Sequence, residues 1–287
     1  MALSRNPTRT RRIEKRWLKE INRRWRAFTA SITTELPTIH TNAIETDPAR
    51  VAAYMEFVQR RIEELLLGSP QPPNWQAVYQ LQAFNQAVAR AAETLKRQGV
   101  DAGLASIATF EPELIAAFGA TIRHSAELEQ LFTRSYESLN GWTDALAREI
   151  RSIITDGVRE GKGIAELTGD IRKRANVSKS RAQLIARTET IQAHQRGTIS
   201  ETEAISAATG EEIALRWVTA NDSRVRHLHA GWHGDLISGE ESFRRINVSP
   251  FNCRCAQAPV IPELDTKKRV EKFKREREML LEQQKVA

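Results

Sequence analysis

Cys253 and Cys255 are the only two cysteines in the sequence, and His227, His229 and His233 lie 20 to 28 positions before them. Imidazole and thiolate are the donors that a tetrahedral zinc ion takes, so His229, His233, Cys253 and Cys255 form a candidate ligand set for a structural zinc clip. A region of short strands and much loop has little core, and a bound ion would supply the missing cross-link. Cys-x-Cys is a weaker signature than Cys-x-x-Cys, and the histidines match no standard finger spacing. The competing reading makes the cysteines small buried hydrophobes and His229 a hydrogen-bonded core residue. A disulfide between residues this close would be badly strained, which suggests reduced thiols and cytoplasmic synthesis.

A catalytic reading would make Cys253 a nucleophile, or set a metal-bound water beside Asp222, Glu240 or Glu241 as base. The sequence has no His-Glu-x-x-His, no Gly-x-Ser-x-Gly and no phosphate-cradling glycine loop, so the non-enzymatic reading is preferred. Arg187, Thr188 and Glu189 interrupt a helix face otherwise lined by Ala182, Ile185, Ala186 and Ala193. Charges at such a position need partners, and a structural clasp to Asp222, Arg224 or Arg226 is expected.

A second concentration of chemistry lies at the start of the chain. Residues 1–30 hold ten Lys/Arg against two acids, an excess larger than the +7 of all 287 residues, so the body is close to neutral. Ile13, Trp17, Ile21, Trp25, Phe28 and Ile32 recur at three- and four-residue steps, which predicts a basic amphipathic helix. Arg11, Arg12, Lys15, Arg16, Lys19, Arg23, Arg24 and Arg26 fall off that stripe. They form either the solvated back of a packed helix or a contact for a partner. Binding of double-stranded DNA through such a face would be salt-sensitive and non-specific, because no base-reading motif accompanies it. A membrane surface is the weaker alternative.

The elements that position these groups are mainly helical. With 40% hydrophobic and 28% charged residues the composition is globular, and no apolar run approaches the roughly 18 to 20 residues that span a bilayer. The basic start has no apolar block after it and does not read as a secretory signal. Asp47 and Pro48 open a helix with Val51, Met55, Val58, Ile62 and Leu65 or Leu66 on one face, closed by Gly68. A Pro-rich turn over residues 69–73 leads to Asn74, which caps a helix carrying Trp75, Val78, Leu81, Phe84, Val88 and Leu95 and ending at Gly99; residues 101–138 read as helical. Three helices are then predicted: one capped by Thr143 after Asn140-Gly141 and stopped at Gly161, one over 164–174, and one from Ser178 or Ser180 to about Gly197. Ile213, Leu215 and Trp217 alternate with charged residues as a half-buried strand would, and residues 253–261 form a second strand. The last 25 residues predict a solvated helix, or a tail that orders on a partner.

Four stretches in order carry a resemblance. Ser180-Arg-Ala-Gln-Leu-Ile-Ala-Arg-Thr-Glu189, then Trp217-Val-Thr-Ala-Asn-Asp-Ser-Arg-Val-Arg226, then His229 with Gly234, then Asn252-Cys-Arg-Cys255 resemble the phage Mu F-like, or SPP1-type, minor head protein family. The resemblance spans residues 126–262 and places family positions at Arg187, Thr188, Glu189, Trp217, Asp222, Arg224, Arg226, His229, Gly234, Asn252, Cys253, Arg254 and Cys255. The chain departs from the family at His233, where many relatives have Asp, and at Pro250-Phe251, where many have His.

The resemblance implies a minor capsid protein of a tailed bacteriophage, made in the host cytoplasm and carried in the virion head near the portal. Its implied roles are head morphogenesis and DNA packaging or ejection. Its implied partners are the portal protein, the major capsid or scaffold protein, and packaged DNA. The expected fold is α+β and predominantly helical: a basic helical arm (1–34), a helical N-terminal domain (35–125), the family domain (126–262) with a short sheet, and a charged C-terminal helix or tail (263–287). The rival reading is a metal-dependent hydrolase acting in head maturation.

Overall fold

A computed structural model describes residues 6–39, 48–69, 74–103, 124–220 and 222–285. The fold is α+β and predominantly helical. In chain order come α1 (Arg11–Glu35), α2 (Pro48–Arg61), which runs on through a π-helical turn at Ile62–Leu67, α3 (Ala77–Lys96), α4 (Ser125–Arg159) and α5 (Ile164–Thr209). Then follow β1 (Ala214–Val218), α6 (His227–Gly231), β2 (Leu236–Ile237), α7 (Gly239–Ile246), β3 (Ala256–Val260) and α8 (Lys267–Lys285). Among the described residues no helix is long and apolar enough to cross a membrane.

The residues gather into two compact units, each assembled from separated stretches: Met1–Glu14, Val78–Leu131 and Arg187–Ala287 in one, Lys15–Ala77 and Phe132–Ala186 in the other. These units cut across the linear partition expected from the sequence. The second unit is all helical. Its α1 buries Trp17, Ile21, Trp25, Phe28 and Ile32, and α2 docks on it where the Tyr54 hydroxyl donates to the Ile32 carbonyl at 2.7 Å. Trp75 Nε1 donates to the carbonyls of Leu66 and Leu67, both at 3.1 Å, satisfying acceptors that the helix end leaves open. Arg24 stacks 4.4 Å above the Trp75 ring. Asn74 caps α3 as its residue type predicts, its Oδ1 accepting from Gln76 and Ala77 N–H at 3.1 and 2.9 Å. The Asp47 cap, the Pro-rich turn at 70–73 and the helical reading of 104–123 lie outside the described residues.

The three-helix reading of 143–197 is corrected to two long helices. α4 passes through Asn140-Gly141 without a break, and Thr143 donates back to the Asn140 carbonyl at 2.9 Å instead of capping. A glycine costs a helix interior about 1 kcal/mol, less than the burial of Leu139, Leu146, Ile150 and Ile154 along the same stripe returns. Ser180 likewise donates to the Asn176 carbonyl within α5. The one real turn is at Gly161, whose φ of 73° suits glycine.

The first unit holds an antiparallel sheet of order β2-β1-β3, with Trp217 opposite Gln257. The outer edge of β3 is met by a side chain: Gln98 donates to Pro259 O at 3.0 Å and accepts from Ile261 N–H at 3.1 Å. Under the sheet runs α5, and every residue from Thr188 to Ile199 is buried. Gly197 permits close approach there, since a Cβ would stand 2.7 Å from the Phe84 carbonyl oxygen.

β1 does not alternate as expected. Arg216 is buried along with its neighbours, because Asp265, the Gly234 carbonyl and the Phe273 ring receive its guanidinium. The charged C-terminal stretch is part of the fold too. α8 buries Leu280 against Ala220, Val225 and Ala230, and Arg277 bonds the His233 carbonyl and Asp235.

Candidate functional site

The loop from β1 into α6 and the segment leading into β3 converge on one buried group. His229, on α6, is 2% exposed, and Cys253 and Cys255 are 5% and 2% exposed. His229 Nδ1 lies 3.5 Å from each sulfur. Its Nε2 lies 3.2 Å from the Val248 carbonyl oxygen. A carbonyl only accepts, so Nε2 carries the proton and Nδ1 turns its lone pair toward the thiols. The imidazole is stacked on Trp232 at 5.1 Å and meets Trp217 edge-on at 5.9 Å. Leu215, Trp217, Ile237 and Ile246 complete the apolar wall. Cys255 beside Cys253 draws the Cys253 thiol well below the ordinary range, with His229 assisting. Cys255 is pushed well above it by Cys253 and by burial.

His233 does not join this group, which corrects the four-residue ligand set. Its Nδ1 accepts from Thr219 N–H at 3.2 Å and lies 3.0 Å from the Thr219 hydroxyl. Its Nε2 reaches Glu276 at 3.2 Å. Burial lowers its pKa, consistent with a neutral ring donating from Nε2. Spacing alone cannot separate His229 from His233, since α6 ends at Gly231 and the chain turns between them.

Around the buried group the other motif residues hold backbone. Arg254 grips Asp222 with two bonds of 2.6 Å, and Asp222 Oδ1 also accepts from Arg224 N–H at 3.1 Å. The Arg254 hydrogen bond is the main reason the Asp222 carboxyl is held down at about 2. Arg226 donates to the Phe251 carbonyl. Asn252 sits at φ 54° and donates its N–H to Thr188 Oγ1 at 3.3 Å, while Gln195 donates to the Cys255 carbonyl at 2.7 Å. Thr188 thus ties α5 to the cysteine segment, and Asp222 is held by Arg254. Glu189 is buried and Arg187 half-buried on the same helix. Trp217 is fully buried. Gly234, at φ 88°, donates to the Trp217 carbonyl at 2.8 Å.

Sequence reasoning missed the ion pairs that surround this group. Asp235 is shared by Arg245, at 2.8 Å, and Arg277, and Asp265 meets Arg216 with both side chains under 5% exposed. Their partners come from distant segments, so no local spacing signals them.

The basic residues of α1 occupy the face away from the stripe. Arg11, Arg12, Lys15, Arg16, Lys19, Arg23 and Arg26 are exposed, and Arg24 is half-buried on Trp75. Lys15, Lys19, Arg26 and Lys179 line one shallow groove between α1 and α5, and Arg26, Arg172 and Lys179 line a second beside it.

Residues 148–258 match the family described as Phage Mu protein F like protein. Minor head protein GP7 of Bacillus phage SPP1 is 30% identical over 129 residues, an alignment covering 40% of this chain and 41% of that protein. The chain thus aligns with less than half of that relative's length. No solved structure matches the chain. The matched stretch contains all of α5, β1, β2 and the start of β3, the His229 and Cys253 group and the Asp222–Arg254 pair. By this match, and by the order in which those residues occur, the stretch 148–258 is similar to the Phage Mu protein F like family.

Proposed function

We propose that the chain is a minor head protein of a tailed bacteriophage, stationed at the portal vertex and acting in head morphogenesis and in DNA packaging or ejection. The observation that carries this reading is what the motif residues do. Asp222, Arg226, His229 and Arg254 spend their polar groups on one another and on backbone, which is the work of a scaffold. The match of residues 148–258 to the Phage Mu protein F like family and the 30% identity over 129 residues to a minor head protein support it. The hydrolase reading asks for a carboxylate free to act as a base. Asp222 is committed to Arg254, and Glu241 to Arg244 and Arg245.

The basic groove supplies the contact with packaged DNA. Five cations, Lys15, Lys19, Arg26, Arg172 and Lys179, lie along it, and phosphates would exchange condensed counterions for them. Deleting residues 1–34 would uncover the core that α1 closes, so charge reversal is the informative change. Lys15→Glu, Lys19→Glu and Lys179→Glu together should weaken retention on mixed-sequence duplex DNA and flatten its salt dependence by about three units of the log-log slope. Portal protein should co-purify with the wild-type chain from infected cells. Absence of portal protein from the co-purified material would overturn the placement, and unchanged DNA retention in the triple variant would overturn the DNA contact.

A further inference from the structure

We infer that the chain binds one zinc-class divalent ion through His229 Nδ1, Cys253 Sγ and Cys255 Sγ. The nitrogen–sulfur distances fit. Zinc–sulfur bonds of about 2.3 Å and zinc–nitrogen bonds of about 2.0 Å at tetrahedral angles place nitrogen and sulfur about 3.5 Å apart. His229 Nδ1 is 3.5 Å from both sulfurs, and the three donor atoms lie within 4.8 Å of one another.

The surroundings hold each donor in place. The Val248 carbonyl fixes the imidazole with its Nδ1 lone pair inward, the outer-shell contact that metal-bound histidines ordinarily have. The cysteine segment is tied by Cys253 N–H to the Pro250 carbonyl at 3.1 Å, by Asn252 N–H to Thr188, and by Gln195 to the Cys255 carbonyl. Ser249 and Asn252 both take positive φ, of 51° and 54°, to bring the sulfurs round to the histidine. Charge also balances: two protons leave as the thiols become thiolates, and a divalent ion with two thiolates and a neutral imidazole is uncharged, as a buried apolar pocket requires. Arg254, the nearest cation in sequence, is already paired with Asp222. The ion would join α6 to the approach to β3, groups 24 and 26 positions apart along the chain. This assignment stands whether or not the protein works at a portal.

The test uses the full chain purified from zinc-supplemented cells. Elemental analysis should give one equivalent of zinc. Replacement by cobalt should give the near-ultraviolet thiolate-to-cobalt band together with tetrahedral visible bands, and a strong chelator should lower the melting temperature. Cys253→Ser with Cys255→Ser should abolish metal content, whereas His233→Gln should keep it. Substoichiometric metal in the folded wild-type protein, with no thiolate-to-cobalt band on titrating cobalt into it, would overturn the assignment and needs no variant to be read. Full metal content in the double-serine protein would overturn it as well, by placing the ion elsewhere.

Discussion

Replacing Gly234 by alanine should be among the most damaging single-methyl changes available to this protein. Two independent costs act at the position. Its φ of 88° lies where an L side chain is strained, worth about 1–2 kcal/mol. The added Cβ would also stand 2.6 Å from Phe273 Cβ, a contact at the root of the α8 side chain that rotamer change cannot relieve. Moving α8 away disturbs Arg277 on Asp235 and the Phe273 ring on Arg216, and overpacking of this kind costs about 1–3 kcal/mol. The total expected is about 2–5 kcal/mol. Gly231→Ala is the control, because a Cβ there meets nothing within 4 Å and should change stability by less than about 0.5 kcal/mol. Urea unfolding followed by circular dichroism, with amide exchange in α8 as the local readout, measures both. If Gly234→Ala matched the wild type, or the two variants lost equally, the tight approach of α8 to the turn before β2 would be wrong.

Three further outcomes follow from the buried groups. His194 is fully buried, its ring nitrogens have no hydrogen-bond partner among the described residues, and burial pushes its pKa down from 6.5 to about 3. The unfolded chain takes up that proton first, so stability is full above 6.5 and falls by up to about 1.4 kcal/mol per pH unit below it, levelling near the folded value; His194→Leu should flatten this slope in pH-dependent melting. Asp222 behaves in a lower window: its carboxyl is depressed from 3.8 to about 2 by Arg254, so its contribution is present above 3.8 and is lost as pH falls toward 2. Contact with water limits that contribution to about 1 kcal/mol, and Asp222→Asn should remove this acid step in urea titrations. Gly197→Ala should cost about 1–3 kcal/mol in thermal unfolding, because its Cβ would press 2.7 Å from the Phe84 carbonyl.

What the sequence showed depended on whether a signal was local. The stripe of α1 and the Asn74 cap are written in neighbouring residues, and both stand in the structure where they were expected. The breaks drawn at Asn140-Gly141 and before Ser178 were too many, since a glycine or a serine in a long helix is tolerated when the flanking stripe is buried. The middle of α5 was illegible for another reason. Periodicity marks a helix with a wet side, and Thr188 to Ile199 has none, so its Thr, Gln, His and Arg residues read as solvated though they are buried. The candidate site was legible as a set of residue types, and His229 with the two cysteines does converge. That His233 turns to Thr219 and Glu276 instead rests on α8, more than forty positions away in sequence. Arg216 and Asp265, and Asp235 with Arg277, are likewise pairs that only the folded chain creates.

The interleaving of segments in the two units sets a timetable for the growing polypeptide. α1 exposes Trp17, Trp25 and Phe28 as it leaves the ribosome, yet the stretch that helps cover them runs on to Ala186. At bacterial rates of about 5–20 residues per second, the aromatic stripe waits roughly ten to thirty seconds for its cover. The sheet waits differently: Gln98 is translated well before Pro259 and Ile261, its partners 161 and 163 positions downstream, exist at all. Contacts of such long range slow folding and leave apolar surface open to rescue by chaperones or to loss by clumping. How much of this protein reaches its folded state is thus decided partly before its last helix has been made.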